Sequence, residues 1–179
     1  LPGGQANTGS WLASLTQATH YLGLFLALGI AAFLVLLLPE GVRADVARRR
    51  LRLLAATAAG ISIAAGILLV MQSPLPREAL FAELLLIAGL ASALAPIWLK
   101  LSATPSRLLL GLGAMSTTAA LTSVGHTRSF GPTALVITTD VLHVLAASLW
   151  LGGLVGLAMT LPGLHHRPND IARTVTRFS

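Results

Sequence analysis

Long apolar runs separated by short polar breaks dominate the pattern of hydrophobic and polar positions along the chain. Five runs are long enough to cross a bilayer as helices, at roughly 12–38, 53–72, 79–99, 107–125 and 134–161. About 20 apolar residues suffice for a crossing, because a helix hydrogen-bonds all its backbone groups internally. The pattern predicts an all-α, polytopic membrane bundle of five transmembrane helices plus the start of a sixth near the C-terminus.

The breaks between the runs are rich in proline, glycine or charge, which is typical of connecting segments. They read PEGVRADVARRRLR, SPLPRE, KLSATPSR and GHTRSFGP, and none has room for a soluble domain. The opening LPGGQANTGS has the composition of a linker. We therefore expect an extracytoplasmic linker at 1–10 and a single transmembrane domain at 11–179, truncated at its C-terminal end.

Composition and charge agree with a membrane protein. The chain is 55% hydrophobic and only 10% charged, whereas soluble domains carry about 25% charged residues. A net charge of +6 first suggests a nucleic-acid partner. However, ten of the twelve lysines and arginines lie in the first and third breaks or after the fifth run, and only Arg77 and Arg128 lie in the other two. This asymmetry predicts a cytoplasmic basic face and an N-terminus outside, so we expect the bilayer and no nucleic acid as a partner.

Ionisable residues inside or at the ends of the runs gather on the predicted outer side. His20, Glu83, Asp140 and His143 lie within runs, and His126 ends the fourth. At about 1.5 Å per residue, His20 and His143 each lie roughly 13 Å from the outer surface. Ionisable residues in membrane helices mostly face the bundle interior and mark ligand or proton paths. We expect an outward-facing site in which His20 and His143 approach each other.

The five residues have different expected roles. His20 and His143 fit two interpretations, metal ligands or interhelical hydrogen bonds. Asp140 shares a helix face with His143 at i,i+3 and is expected to orient that imidazole. Glu83 and His126 are placed at an entrance above the site, although His126 fits an ordinary loop residue equally well.

Histidines that converge from several helices suit copper, zinc or haem iron. Copper ranks highest among divalent ions at nitrogen ligands, although imidazole also binds zinc and the copper oxidation state stays open. Two histidines at equal depth could instead clamp a haem. The chain has neither a P-loop nor an HExxH motif, and we expect a binding protein and not an enzyme. The GxxxG spacing of Gly152 and Gly156 favours close helix packing.

Several stretches together resemble the copper resistance protein D (CopD) family. They are ATHYLGLFLALGIAAFLVLLLPEG in the first run, GH at the end of the fourth, DVLHVLAASLWLGGL in the fifth and the trailing RFS. The resemblance covers essentially the whole chain, and the fifth-run motif is its most specific part. It implies a bacterial inner-membrane protein that takes copper ions from the periplasmic side and moves them inward, with a periplasmic CopC-like copper donor. The positions that carry over are His20, His126, Asp140 and His143.

Two other functions stay open beside copper transport. One is a haem-binding electron-transfer membrane protein. The other is a purely structural helical domain whose histidines join helices through hydrogen bonds.

Overall fold

The computed structural model describes residues 8–38, 44–99, 101–123, 133–164 and 167–178, nearly all of which are helical. Six α-helices follow in chain order: α1 (Thr8–Ala32), α2 (Asp45–Gln72), α3 (Pro76–Leu99), α4 (Ala103–Ser123), α5 (Thr133–Thr160) and α6 (Pro168–Phe178). A π-helical turn, Phe33–Leu37, extends α1, and a 3₁₀ turn, Leu161–Leu164, extends α5. The all-α prediction is confirmed for these residues, which include no β-strand.

Four of the described helices are long and apolar enough to cross a membrane: Trp11–Leu37, Asp45–Gln72, Pro76–Leu99 and Ala134–Leu164. They correspond to four of the five predicted runs and identify a membrane protein. The remaining run forms α4, which has 21 residues but contains several serines and threonines, and it is not among the four. The structure thus contains the predicted helices without confirming five crossings.

The second and the sixth helices differ from the prediction. The second helix begins at Asp45, well before the predicted start of the run, because the intervening alanines, arginines and leucines favour a helix despite their charge. Where the sequence predicts the start of a sixth membrane helix, the chain forms α6, which has 11 residues and is not among the helices long and apolar enough to cross a membrane. Thr174 on α6 is fully buried, whereas Arg173 and Arg177 are exposed. This helix therefore has one face against the bundle and one basic face.

Helix α1 lies at the centre of the bundle and touches α5 through glycine. The backbone of Gly29 lies against Ser148 and Gly152 of α5, and Gly156 lies against the Phe33 ring. The contacts advance along both helices together, so α1 and α5 run parallel. The predicted close packing at the GxxxG spacing is confirmed, since a side chain at Gly152 would overlap the α1 backbone.

A second close contact joins α3 and α4 in antiparallel orientation. Gly89 of α3 and Gly113 of α4 each lie against the other helix's backbone. On one side of this contact the Ser92 hydroxyl donates to the Leu109 carbonyl at 2.9 Å. On the other side the Ser116 hydroxyl donates to a carbonyl of α3, also at 2.9 Å. Small residues and serine hydroxyls thus join the two helices along their length, as is common in membrane bundles.

We expect Gly152→Ala to destabilise the protein by about 1–3 kcal/mol, because the added methyl group would overlap the Gly29 backbone and force the helices apart. The apparent melting temperature in detergent measures this effect. Gly60→Ala is the matched control, since Gly60 has open space around it and alanine is the better helix former. Equal melting temperatures for the two variants would contradict the close α1–α5 contact.

Candidate functional site

His20 is buried where α1 meets α2, with only 6% of its surface exposed. Its Nδ1 lies 2.9 Å from the Ser62 carbonyl oxygen. A carbonyl can only accept a hydrogen bond, so Nδ1 carries a proton, and in the neutral ring the lone pair is then on Nε2. The Ser62 hydroxyl in turn donates to the His20 carbonyl oxygen at 2.9 Å. The two residues are joined twice, which sets the tautomer and direction of the ring as in metal-binding histidines.

Glu83 is buried on α3, with 7% of its surface exposed. Its Oε1 atom is buried and has no hydrogen-bond partner in the part of the chain that the structure describes. Gly66 of α2 lies directly against the carboxylate, and any side chain at that position would overlap it. Most buried polar atoms are hydrogen-bonded, and one that is not points to an ion, a water molecule or a ligand.

His20 and Glu83 line the same cavity, which has a volume of about 250 Å³. The cavity lies among α1, α2 and α3 with the last residues of α4. Both residues contact α2: His20 contacts Ser62, and Glu83 contacts Gly66. These two positions are one turn apart, about 6 Å along the helix axis. The cavity thus brings together an imidazole and a carboxylate oxygen that has no partner in the described part of the chain.

Three further polar residues belong to this site and were not selected from the sequence. Gln17 and Tyr21 line the cavity, and the Gln17 amide donates to the Tyr21 hydroxyl at 3.3 Å. The third residue, Ser62, holds the His20 ring. Gln17 and Tyr21 lie within one helical turn of His20, and Ser62 is a polar residue in a run of alanine and isoleucine. A search for polar residues near His20 could have found the first two, but only the packing of α2 reveals the third.

The structure places Asp140 and His143 apart from this cavity. His143 is exposed and Asp140 is half-buried on α5, and neither lines the His20 cavity. Both residues are described, and no hydrogen bond or ion pair between them is present in the structure. The expected orientation of His143 by Asp140 is therefore not formed here. Any part that either residue has in metal binding stays a prediction.

Helix geometry explains why two histidines at equal depth do not meet. His20 lies nine residues before Gly29, and His143 lies nine residues before Gly152. Since these glycines touch, the two histidines are level along the bundle. However, nine residues turn a helix through about 900°, which is two full turns and a half. Each ring therefore points away from the α1–α5 contact, so this structure forms neither the expected approach nor an axial pair for haem.

His126 lies outside the described residues, so its predicted place at the entrance stays a prediction. Within the described ranges there is no group of three or more histidine, aspartate or glutamate side chains that could hold a metal ion. Of the five residues selected from the sequence, the structure therefore brings together His20 and Glu83.

The fold and the cavity define a helical membrane protein with a buried histidine–carboxylate site. Comparison of the chain with models of protein families, with curated proteins and with solved structures found no match. The family resemblance therefore depends on the sequence stretches quoted above and remains a proposal.

We expect Glu83→Met to raise the apparent melting temperature, because it removes a buried carboxylate oxygen to which no described residue donates a hydrogen bond. Such an atom costs about 1–3 kcal/mol, and the unbranched methionine side chain fits irregular space beside Gly66. Glu78→Met is the matched control, because Glu78 is exposed in the first turn of the same helix and should melt like the parent. A melting temperature for Glu83→Met below that of the parent would contradict this interpretation, because it would mean that the Glu83 carboxylate makes a stabilising hydrogen bond.

Proposed function

We propose that this chain is a copper-binding protein of the bacterial inner membrane that takes copper from the periplasmic side and moves it inward. The observation that carries the proposal is the cavity shared by His20 and Glu83. Its imidazole is held by the Ser62 carbonyl, and its carboxylate has a buried oxygen without a partner among the described residues. The resemblance to the CopD family supplies the identity of the metal.

The chemistry of the cavity suits a transition-metal cation. A neutral imidazole with a free lone pair is a preferred ligand for copper and zinc, and copper ranks above zinc at such sites. A cation that leaves water must exchange its hydration shell for protein ligands, and the Glu83 carboxylate offsets part of the buried charge. Through the resemblance, His143 remains in the proposal as a further ligand, Asp140 as the residue that orients it, and His126 as a residue at the entrance. The geometry favours His20 and Glu83 as the first pair to engage the ion.

We further propose that all five long helices cross the membrane with the basic end of the bundle in the cytoplasm. The parallel course of α1 and α5 supports five crossings, because α4 must carry the chain back across before α5 can run in the direction of α1. The antiparallel packing of α3 and α4 agrees with this path. The ten-to-two distribution of basic residues supports the orientation.

A pair of cysteine variants tests the orientation, since the chain contains no cysteine of its own. Arg49 and Arg77 are both exposed. Arg49 is near the start of α2 and Arg77 is near the start of α3, beside the end of α2, so the two lie at opposite ends of the bundle. We expect Arg77→Cys to react in intact cells with a membrane-impermeant thiol reagent, and Arg49→Cys to react only after permeabilisation. The reverse pattern would place the basic end outside and overturn the proposed direction of transport.

Copper titrations of purified protein test the function. We expect His20→Ala to weaken copper binding by more than the roughly 10–100-fold typical of losing a ligand's hydrogen-bond partner. Glu83→Gln, which keeps the shape of the side chain but removes its charge, should weaken binding less. Affinity should fall as the solution becomes more acidic, because protons compete for the imidazole. The matched control is Glu78→Gln on the exposed surface, which should bind like the parent.

Two results of these titrations would overturn the copper proposal. If His20→Ala binds copper like the parent, the cavity is not the copper site. If the purified protein shows a Soret absorption band and no copper binding, haem binding replaces copper binding as the proposed function. His143→Ala, measured in parallel, determines whether the His143 imidazole takes part in copper binding.

A further inference from the structure

A second, larger cavity lies at the opposite end of the bundle and is surrounded by arginine. Its volume is about 590 Å³, which is within the roughly 300–1,000 Å³ typical of small-molecule sites. The π-helical turn and helices α2, α3, α4 and α6 contribute to its wall. Its five arginines are Arg48, Arg52, Arg107, Arg173 and Arg177. We call it the arginine cavity.

Three helices supply these arginines in a regular way. Arg48 and Arg52 are four residues apart on α2, and Arg173 and Arg177 are four residues apart on α6. Residues at this spacing share one helix face, so each helix directs two guanidinium groups toward the same space. Arg107 of α4 adds a fifth. Like charges at this spacing repel, and a bound anion would offset the repulsion where the guanidinium groups converge.

The protein does not supply that anion from the cavity wall, whose described residues include no aspartate or glutamate. Two carboxylates lie on the same helices as the arginines. Asp170 of α6 pairs with Arg167 at 3.9 Å, and Asp45 of α2 is exposed. Neither residue lines the cavity, although Asp45 offsets part of the charge of Arg48. An anion that enters the cavity would balance guanidinium charge in a wall whose described residues include no carboxylate.

The rest of the wall is largely apolar. Leu34 and Val35 of the π-helical turn and Ile97 of α3 face the same space as the arginines. A cavity with guanidinium groups on one part of its wall and aliphatic side chains on another suits an anionic group attached to a hydrocarbon portion.

We propose that the arginine cavity binds a phosphate group, of the kind carried by the headgroup of an anionic phospholipid. The planar guanidinium group donates two parallel hydrogen bonds to phosphate oxygens, which makes arginine the preferred partner for such anions. Basic pockets between membrane helices bind phospholipid headgroups in this way. Free inorganic phosphate offers the same chemistry, and the experiment separates the two sources. This proposal does not depend on copper binding at His20 and Glu83, and it stands even if that site binds no copper.

The test compares two double variants that remove the same charge. Arg52→Gln with Arg173→Gln removes one arginine from each side of the cavity. Arg49→Gln with Arg50→Gln removes two exposed arginines that do not line it. Each protein is reconstituted in nanodiscs of phosphatidylcholine with a small fraction of phosphatidylglycerol, and native mass spectrometry measures the phosphatidylglycerol retained. A parallel titration adds inorganic phosphate to delipidated protein, and melting temperatures without added lipid verify that all variants fold.

We expect the parent and the Arg49/Arg50 variant to retain phosphatidylglycerol alike, and the Arg52/Arg173 variant to bind it about 10–100-fold more weakly. Competition by inorganic phosphate would confirm that the phosphate group is what the cavity binds. Saturable phosphate binding without lipid retention, again lost only in the Arg52/Arg173 variant, would support the site and assign it to free phosphate. Equal losses in both variants would mean that net charge alone attracts the lipid, which overturns the proposal. Failure of the parent to bind either probe overturns it as well.

Discussion

The backbone contact between α1 and α5 at Gly29 and Gly152 is the constraint on which the arrangement of the bundle depends. With no side chain on either residue, the two helices approach until their backbones touch, and dispersion contacts replace the hydrophobic drive that is weak in lipid. Helix α1 is thereby held from one side by α5 and from the other by α2, which is joined to His20 through Ser62. The position of the His20 ring follows from these two contacts.

Most of the fold could be predicted from the sequence, because the bilayer permits few alternatives. A long apolar run in lipid must be helical, so the helices follow from hydropathy and the turns from proline, glycine and charge. The start of α2 was harder to predict, because Arg48, Arg49 and Arg50 precede the apolar run and yet belong to the same helix. The crossing by α4 remains a proposal for a related reason, since its hydroxyl side chains lower its hydropathy while bonding to backbone carbonyls of its own and neighbouring helices.

The candidate site was only partly predictable, since depth and direction are different properties of a residue. Depth follows from counting along one helix, and His20 and His143 are indeed level. Direction depends on which face of each helix meets its neighbour, and one sequence does not contain that information. Glu83 illustrates the difference well. The sequence placed it near an entrance, whereas the absence of a side chain at Gly66 lets its carboxylate enter the bundle beside His20.

The level positions of His20 and His143 restrict how the protein could ever bring the two rings together. Sliding α1 past α5 along the membrane normal cannot do it, because the rings already lie at one height. Only a rotation of about half a turn by each helix about its own axis would face them toward each other. Such a rotation would replace Gly29 and Gly152 at the contact with residues that have side chains, and the backbones could no longer touch. Piston-like helix movements therefore leave the environment of His20 separate from that of His143, on opposite sides of the α1–α5 contact.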